Sequence, residues 1–456
     1  MRSRMRICAS FGTAGCSPEQ VIISSQSEVE DFSLAVAEPT AKMPQAPYYV
    51  KALALGLPAY LIGIHLWTWI FTVSIFLGGR SDFRQLYAAG YMVRSGHAHE
   101  LYDYDAQRYF QNKVVSQADM ALPFIRPAYE ALLFVPFSFL SYRTAYFAFL
   151  GLNVILLAVS YQFLRPKLEN LARIYRWLPA ALFLAYLPIA AALIQGQDSI
   201  VLLTLFTLVL VSLESGNEFT AGAILGVGAF KFHVVIPVAL LFLAWRRWRC
   251  AAGAAITGTL AVAGSVLLVG LAQAKIYVQS LLTFGAPSRS VPGHLWYPLP
   301  PNLMPNLHGL IFGIADGHLP VNWITWPTAG LSLLILLLVA SLRPDSQKNS
   351  DAFLIAVLTS ALVSYYLLIH DLSILLIPIA ITLSRFIDSE ATGDRVGRFS
   401  TRAAALMFVA PICISYSPSH FYLVAGPLAV LLFAVVTRFA FSDEEDTGSV
   451  RATSRL

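Results

Sequence analysis

Charged residues are scarce in this sequence. Lys, Arg, Asp and Glu make up 12% of the 456 residues, about half the share of roughly 25% that is typical of soluble globular domains. This deficit argues against a water-soluble enzyme. The formal net charge of +5 is too small and too dispersed for a nucleic-acid-binding surface, so we expect no nucleic-acid partner.

Cysteine is also rare. The four cysteines share no spacing typical of a disulfide framework or a zinc site, and two of them fall in the polar N-terminal tail. We therefore expect neither kind of site. The cysteines are Cys8, Cys16, Cys250 and Cys413.

Long stretches without any charged residue are present instead. Four of them exceed the ~20 apolar residues that cross a bilayer, and several further apolar segments carry at most one charge. The sequence therefore predicts an all-α polytopic membrane protein with about ten to twelve membrane helices. The four stretches are 52–79, 251–273, 318–342 and 403–437.

Basic residues concentrate in four short connectors, which the positive-inside rule places on the cytoplasmic side. Two long loops, 80–127 and 273–320, are then expected on the outer side. Polar tails at 1–50 and 441–456 are predicted to be disordered and cytoplasmic, and Met43 is a second candidate for the start. They flank a membrane domain at 51–440. The connectors are 165–176, 246–249, 343–348 and 385–402.

Two apolar segments are unusual as crossings. The segment 129–140 is short and contains Pro136, so we expect it to dip into the membrane or to lie in the interface. The segment 220–245 starts and ends on the cytoplasmic side. It is predicted to form a hairpin of two short helices, with Lys231 and His233 at its tip.

Ionisable residues near the predicted outer ends of the spans are few. A charge at membrane depth is costly and indicates function by default. The same topology brings all of these residues to one face, although outer span ends also tolerate polar residues generally. They are Asp82, Asp198, Lys231, His370 and Asp371.

Residues 81–103, SDFRQLYAAGYMVRSGHAHELYD, resemble the opening of glycosyltransferase family 87, a family of the GT-C superfamily. Four later segments resemble further motifs of that family in the same order, and the resemblance covers about residues 50–440. The Tyr-Pro-Pro motif is altered here. The four segments are 126–129 (RPAY), 196–198 (GQD), 226–231 (GVGAFK) and 370–371 (HD).

This resemblance implies a GT-C-type catalytic domain that transfers a sugar with inversion. The donor would be a polyprenyl phosphate sugar, with mannose favoured. The acceptor hydroxyl, on a lipid, a glycan or a protein, would lie at the outer face of the inner (plasma) membrane. No cofactor is implied, and the other expected partners are membrane lipids.

We assign roles on this basis. Asp82 is the candidate general base, with the N-cap of a helix at 83–95 as its alternative role. A developing phosphate charge needs cations, for which Lys231, His233 and Arg126 are candidates and Arg289 a further helper. Lys231 could instead snorkel to the interface. The candidate substrate-binding residues are Tyr87, Gln197, Asp198, His294, Trp296, Asn302, His370 and Asp371.

Three alternatives remain open for these residues. The aromatic residues of the second loop could form an interfacial belt, and His370 with Asp371 could be a structural pair. Asp103 and Asp105 spell the Asp-x-Asp pattern of metal-dependent glycosyltransferases, but a single-phosphate donor has no diphosphate to bridge, so we expect no metal.

Rival functions are a lipid-linked sugar flippase or transporter, an envelope glycan polymerase or ligase, and an inactive scaffold. A transporter would more typically show inverted repeats with broken helices at the midplane, which this sequence lacks.

Overall fold

The computed structural model describes residues 48–283, 301–315, 321–342, 344, 349–387 and 394–453. All regular elements in these residues are helical, which confirms the predicted all-α, polytopic membrane architecture. Residues 1–47 of the predicted N-terminal tail lie outside the described residues, and residues 48–50 form the start of the first helix. The α-helices are α1 Tyr48–Ile75, α2 Phe83–Arg94, α3 Tyr104–Val114, α4 Ala131–Phe134, α5 Tyr142–Leu164, α6 Glu169–Ile174, α7 Leu178–Ala185, α8 Leu187–Gln195, α9 Ser199–Glu214, α10 Glu218–Val227, α11 Phe232–Ala244, α12 Trp248–Thr283, α13 Leu307–Ile314, α14 Val321–Ala340, α15 Asn349–Val363, α16 Leu376–Phe386, α17 Arg395–Val409 and α18 Ala425–Thr453.

By length and composition, seven stretches of the described chain could cross a membrane, and the bent pair α7–α8 makes an eighth; one of the seven, Glu218–Ala244, is the hairpin described below. The prediction of ten to twelve also counted the short helix α16, with 11 residues, and the helices α9 and α15, which have only 16 and 15 residues. Both α9 and α15 are apolar, and α15 is buried from Ala352 to Val363. A helix surrounded by other helices does not have to match the thickness of the lipid, so these two stay shorter than a typical crossing.

Polar contacts between helix ends define one face of the protein. Asn170 Nδ2 donates to the Ser384 carbonyl at 2.9 Å, and Asn349 Nδ2 donates to the Leu213 carbonyl at 2.9 Å. The connectors at 165–176 and 246–249 lie at this face, which we call the basic face.

At the opposite face, which we call the site face, α1 ends beside the start of α5, and the Ser81 hydroxyl lies 2.7 Å from the Tyr142 hydroxyl.

The predicted hairpin forms from α10, a 3-10 turn at Gly228–Lys231, and α11. A straight helix of this length would separate its ends by ~40 Å, at 1.5 Å per residue. Arg247 Nη1, just after α11, instead lies 2.8 Å from Glu218 Oε1 at the start of α10. The chain therefore doubles back, with both hairpin ends on the basic face and the turn at the site face.

Close approach of α10 to α12 holds the hairpin in place. A Cβ atom added at Gly222 would lie 1.8 Å from the Cys250 carbonyl oxygen, and one added at Gly226 would lie 2.0 Å from Thr257 Oγ1. Thr257 Oγ1 also donates to the Ala223 carbonyl at 2.9 Å. Small residues at four-residue spacing are the usual way for membrane helices to approach so closely.

Replacing Gly222 by alanine should force α10 away from α12. We expect Gly222→Ala to lower the thermal unfolding midpoint in detergent, with a cost of roughly 1–3 kcal/mol, as is typical of overpacking. Gly258→Ala is the matched control, because a Cβ there meets no atom within 4 Å. Equal midpoints for the two variants would show that this contact does not stabilise the hairpin.

The segment predicted to dip or to lie in the interface is formed by short pieces. A 3-10 turn at Ala128–Glu130, helix α4 and a second 3-10 turn at Pro136–Phe139 follow one another. They pack beneath α2, where a Cβ on Gly90 would lie 2.5 Å from the Phe134 carbonyl. This packing places residues 126–130 beside the start of α2.

Candidate active site

A cavity of about 210 Å³ opens at the site face. Six separate segments supply its walls: the start of α2, the stretch before α4, the turn between α8 and α9, the hairpin tip, the end of α12 and the stretch between α15 and α16. Apolar side chains, including Phe230, Phe232 and Leu281, form part of the lining. The principal polar lining residues are Asp82, Arg126, Gln197, Lys231, His233 and His370.

The Asp82 carboxylate points toward the turn between α8 and α9 rather than back to its own helix, α2. The residue has helical dihedral angles and its side chain forms no N-cap hydrogen bond with α2. Gln197 Nε2 donates to Asp82 Oδ2 at 2.6 Å. Within the described residues no hydrogen bond reaches Oδ1. The structure therefore places Asp82 in the cavity wall and does not show the alternative helix cap.

The Gly-Gln-Asp turn is shaped by a left-handed glycine. Gly196 ends α8 with φ of 64°, a conformation that costs glycine no Cβ clash. A Cβ here would also lie 2.8 Å from the Phe83 Cβ. Glycine at this position thus lets the turn approach α2 and bring Gln197 and Asp198 into the site.

Arg126 is the centre of a buried group of polar contacts. Its Nη1 lies 2.9 Å from Glu130 Oε1 and also pairs with Asp198 Oδ2. Its Nη2 donates to Gln197 Oε1 at 2.8 Å. Sequence reasoning missed Glu130, although a lone acid at the start of the apolar 129–140 segment was a usable signal.

The pKa values of the two carboxyl groups beside Arg126 are shifted in opposite directions. Burial raises the pKa of Glu130 well above its ordinary value, and the charge of Arg126 offsets this only in part. Burial also acts to raise the pKa of Asp198, but the positive charges of Arg126 and Lys231 outweigh it and hold that pKa below its usual range. Asp198 is therefore the ionised partner of Arg126 at neutral pH.

Lys231 lies between two carboxylates at the hairpin tip. Its Nζ is 2.6 Å from Asp371 Oδ1 and 3.1 Å from Asp198 Oδ1, and it donates to Ser199 Oγ at 3.3 Å. The side chain is 4% exposed. Such burial is incompatible with snorkelling to the interface, so Lys231 is an internal ion-pair partner.

Two histidines complete the cavity wall. His370 Nε2 lies 3.6 Å from Asp371 Oδ1, which joins the His370-Asp371 pair to Lys231. His370 Nδ1 and His233 Nε2 are buried and have no hydrogen-bond partner among the described residues. Buried polar atoms are nearly always paired, so these nitrogens are suited to contact a ligand.

Some predicted site residues lie elsewhere. The Tyr87 hydroxyl donates to the Leu140 carbonyl at 2.7 Å inside an aromatic cluster, which gives this tyrosine a packing role. Asn302 lies in a 3-10 turn at Pro301–Leu303 and does not line the cavity. His294, Trp296 and Arg289 lie outside the described residues.

The Asp-x-Asp pair has local structural partners. Asp103 is the N-cap of α3, with its Oδ1 accepting from the Ala106 amide at 2.9 Å. Asp105 Oδ1 lies 3.2 Å from Arg108 on the surface of that helix. Asp103 and Asp105 thus lie at the start of α3 and do not line the cavity.

The fold and the cavity define a polytopic helical membrane protein with a polar site at one face. A comparison with protein families gives a match to glycosyltransferase family 87 over residues 124–370, more than half of the chain. The protein belongs to this family of the GT-C superfamily and is a membrane glycosyltransferase. Curated proteins and solved structures give no match. The matched residues include Arg126, Asp198, Lys231 and His370, whereas Asp82 precedes them and Asp371 follows directly.

Proposed function

We propose that the protein transfers a sugar from a polyprenyl phosphate donor to an acceptor hydroxyl, with Asp82 as general base. The observation that carries this proposal is the geometry of Asp82. Its Oδ2 is held by Gln197 Nε2 at 2.6 Å while the residue lines the cavity. This arrangement leaves Oδ1 to take a proton from a bound hydroxyl.

The proposed reaction is a single displacement. The acceptor oxygen forms a bond to the anomeric carbon as its proton moves to Asp82. The bond between that carbon and the phosphate oxygen breaks, and its electron pair stays on the lipid phosphate. Attack opposite the leaving group inverts the anomeric carbon. Mannose is proposed as the sugar from family resemblance alone.

Charge pairing narrows the choice of phosphate-binding groups. Arg126 and Lys231 already face Asp198 and Asp371, so their charges are largely balanced within the protein. His233 Nε2 and His370 Nδ1 have no protein partner in the described residues, and both residues line the cavity. We therefore propose the two imidazoles as direct phosphate ligands, with the two cations in the same cavity wall supplying positive potential.

The apolar part of the wall supports a lipid-linked donor. Phe230, Phe232 and Leu281 line the same cavity as Asp82. Leu281 reaches it from the end of α12, beyond the break at Gly270, where φ is 82°. An apolar wall beside a polar pocket matches a molecule that joins a sugar phosphate to a hydrocarbon chain.

The site face is proposed to lie on the outer side of the inner (plasma) membrane. The positive-inside rule supports this, because Arg165, Arg173 and Arg176 lie at the basic face. A cysteine at Tyr109, which is 60% exposed on α3, should then react with an impermeant thiol reagent in intact cells. A cysteine at Arg176 should react only after permeabilisation. The reverse pattern would invert the orientation.

The proposed donor class is tested directly by transfer assays. Purified protein is incubated with radiolabelled polyprenyl phosphate mannose, polyprenyl phosphate glucose or a lipid diphosphate oligosaccharide, together with a membrane lipid extract and with or without chelator. Transfer only from a lipid monophosphate sugar supports the proposal. Transfer only from the diphosphate would indicate a polymerase or ligase, and failure of every donor would contradict the proposal.

A further inference from the structure

The side chain of Gln197 connects the general base to the buried ion pairs. Its Nε2 donates to Asp82 Oδ2 at 2.6 Å, and its Oε1 accepts from Arg126 Nη2 at 2.8 Å. We propose that Gln197 is a positioning residue for Asp82, with its amide orientation set by Arg126, rather than a ligand for the sugar. The inference rests on the proposed role of Asp82.

The chemistry of the three groups allows only one orientation of the amide. A guanidinium group can only donate hydrogen bonds, whereas an ionised carboxylate can only accept them. Arg126 must therefore face the amide oxygen, which leaves the amide nitrogen to face Asp82. If the amide were rotated by 180°, its nitrogen would face the donors of Arg126 and its oxygen would face the acceptors of Asp82. Arg126 thus fixes the orientation of Gln197 Nε2, which is the donor that holds Asp82.

The backbone of Gln197 is equally well held. Its amide donates to the Ala192 carbonyl at 2.9 Å, and its carbonyl accepts from Asn153 Nδ2 at 3.2 Å. The residue is only 2% exposed. With both ends of the side chain already bound inside the protein, Gln197 serves as a rigid support rather than as a surface for a sugar.

Arg126 is in turn fixed by two carboxyl groups, since its Nη1 contacts both Glu130 and Asp198. Glu130 does not line the cavity, so direct contact with substrate does not explain this buried acid. Its contact with Arg126 does explain it, because Glu130 holds Arg126 in place and, through Arg126, also holds Gln197. The contacts form a continuous sequence from Glu130 to Arg126, from Arg126 to Gln197, and from Gln197 to Asp82.

Double-mutant kinetics separate a positioning role from a binding role. Gln197→Leu should lower kcat for transfer from polyprenyl phosphate mannose by about 10–100-fold, because small misplacements of a catalytic group have effects of this size. The KM values for donor and acceptor should change little. In the Asp82→Asn background the same substitution should have no further effect on the residual rate, since Gln197 acts only through Asp82.

Gln107→Leu is the matched control. Gln107 is also 2% exposed, and its side chain makes two buried hydrogen bonds, to the Leu101 carbonyl and from the Phe124 amide. It does not line the cavity. Loss of two buried hydrogen bonds should destabilise both proteins, but only the Gln197 variant should lose kcat per folded molecule.

A second variant, Gln197→Glu, tests the same role in case Gln197→Leu does not fold. Gln197→Glu keeps the acceptor that faces Arg126 and turns the donor that faces Asp82 into an acceptor. It should fold and should also lose kcat at neutral pH. A raised KM with unchanged kcat, or equal losses in the wild-type and Asp82→Asn backgrounds, would overturn the positioning role alone. Wild-type activity of Asp82→Asn, or no transfer from the mannose donor, would overturn the proposed base or donor and this inference with it.

Discussion

Asp82→Asn should reduce the transfer rate by about 10²–10⁴-fold, the usual contribution of a general base. Asparagine has the same shape and can still accept the hydrogen bond from Gln197 Nε2, so the site should keep its geometry. It cannot, however, take the proton of the acceptor hydroxyl. The measurement is transfer of radiolabelled sugar by equal amounts of folded protein, with the KM of the donor expected to stay within a few-fold.

The matched control for this experiment is Asp105→Asn. Asp105 also lies between α1 and α5, but its carboxylate pairs with Arg108 at the surface and does not line the cavity. We expect wild-type transfer from this variant. Wild-type transfer by Asp82→Asn would instead remove Asp82 as the base, while the family membership of the chain would stand.

Lys231→Met should be the most destabilising of these substitutions. It removes the cation that lies 2.6 Å from Asp371 and 3.1 Å from Asp198, all three groups being almost fully buried. Breaking a buried ion pair from one side costs roughly 3–5 kcal/mol, because a charge is left without a partner. Thermal unfolding in detergent should show a large fall in the midpoint and a lower yield of folded protein.

Removing the opposing charge as well should restore part of this loss. In Lys231→Met with Asp371→Asn, the buried carboxylate is gone and Asp198 still pairs with Arg126. We expect the double variant to be more stable than Lys231→Met and still inactive. Lys167→Met serves as the matched control, since its pair with Glu214 is partly exposed and such pairs contribute about 0–1 kcal/mol. Equal midpoints for the two lysine variants would contradict the buried role of Lys231.

Charge scarcity explains why much of the site could be predicted from sequence. In a chain with so few charges, an acid after the first span and a lysine in an apolar hairpin are conspicuous. The structure brings Asp82, Asp198, Lys231, His370 and Asp371 to one face, as the topology predicted. The hairpin was predictable too, because the basic connectors before and after it had to share a side.

Pairing within the site was not predictable from the sequence. Lys231 and Asp371 are 140 positions apart, and only the folded helices show that they neutralise each other.

Tyr87 illustrates a second difficulty, which is that one residue type can suit two different environments. A tyrosine suits a sugar platform and an aromatic core equally well, and its burial among Phe83, Phe134 and Tyr142 depends on tertiary packing alone.

The ion pairs of Lys231 also have a consequence for biosynthesis. Lys231 is synthesised 140 residues before Asp371, so until Asp371 is made, Asp198 is the only one of its two acidic partners that is present. The buried charge cluster is therefore completed only when residue 371 has been made, and a chain that stops short of it lacks the closer of the two carboxylates that face Lys231.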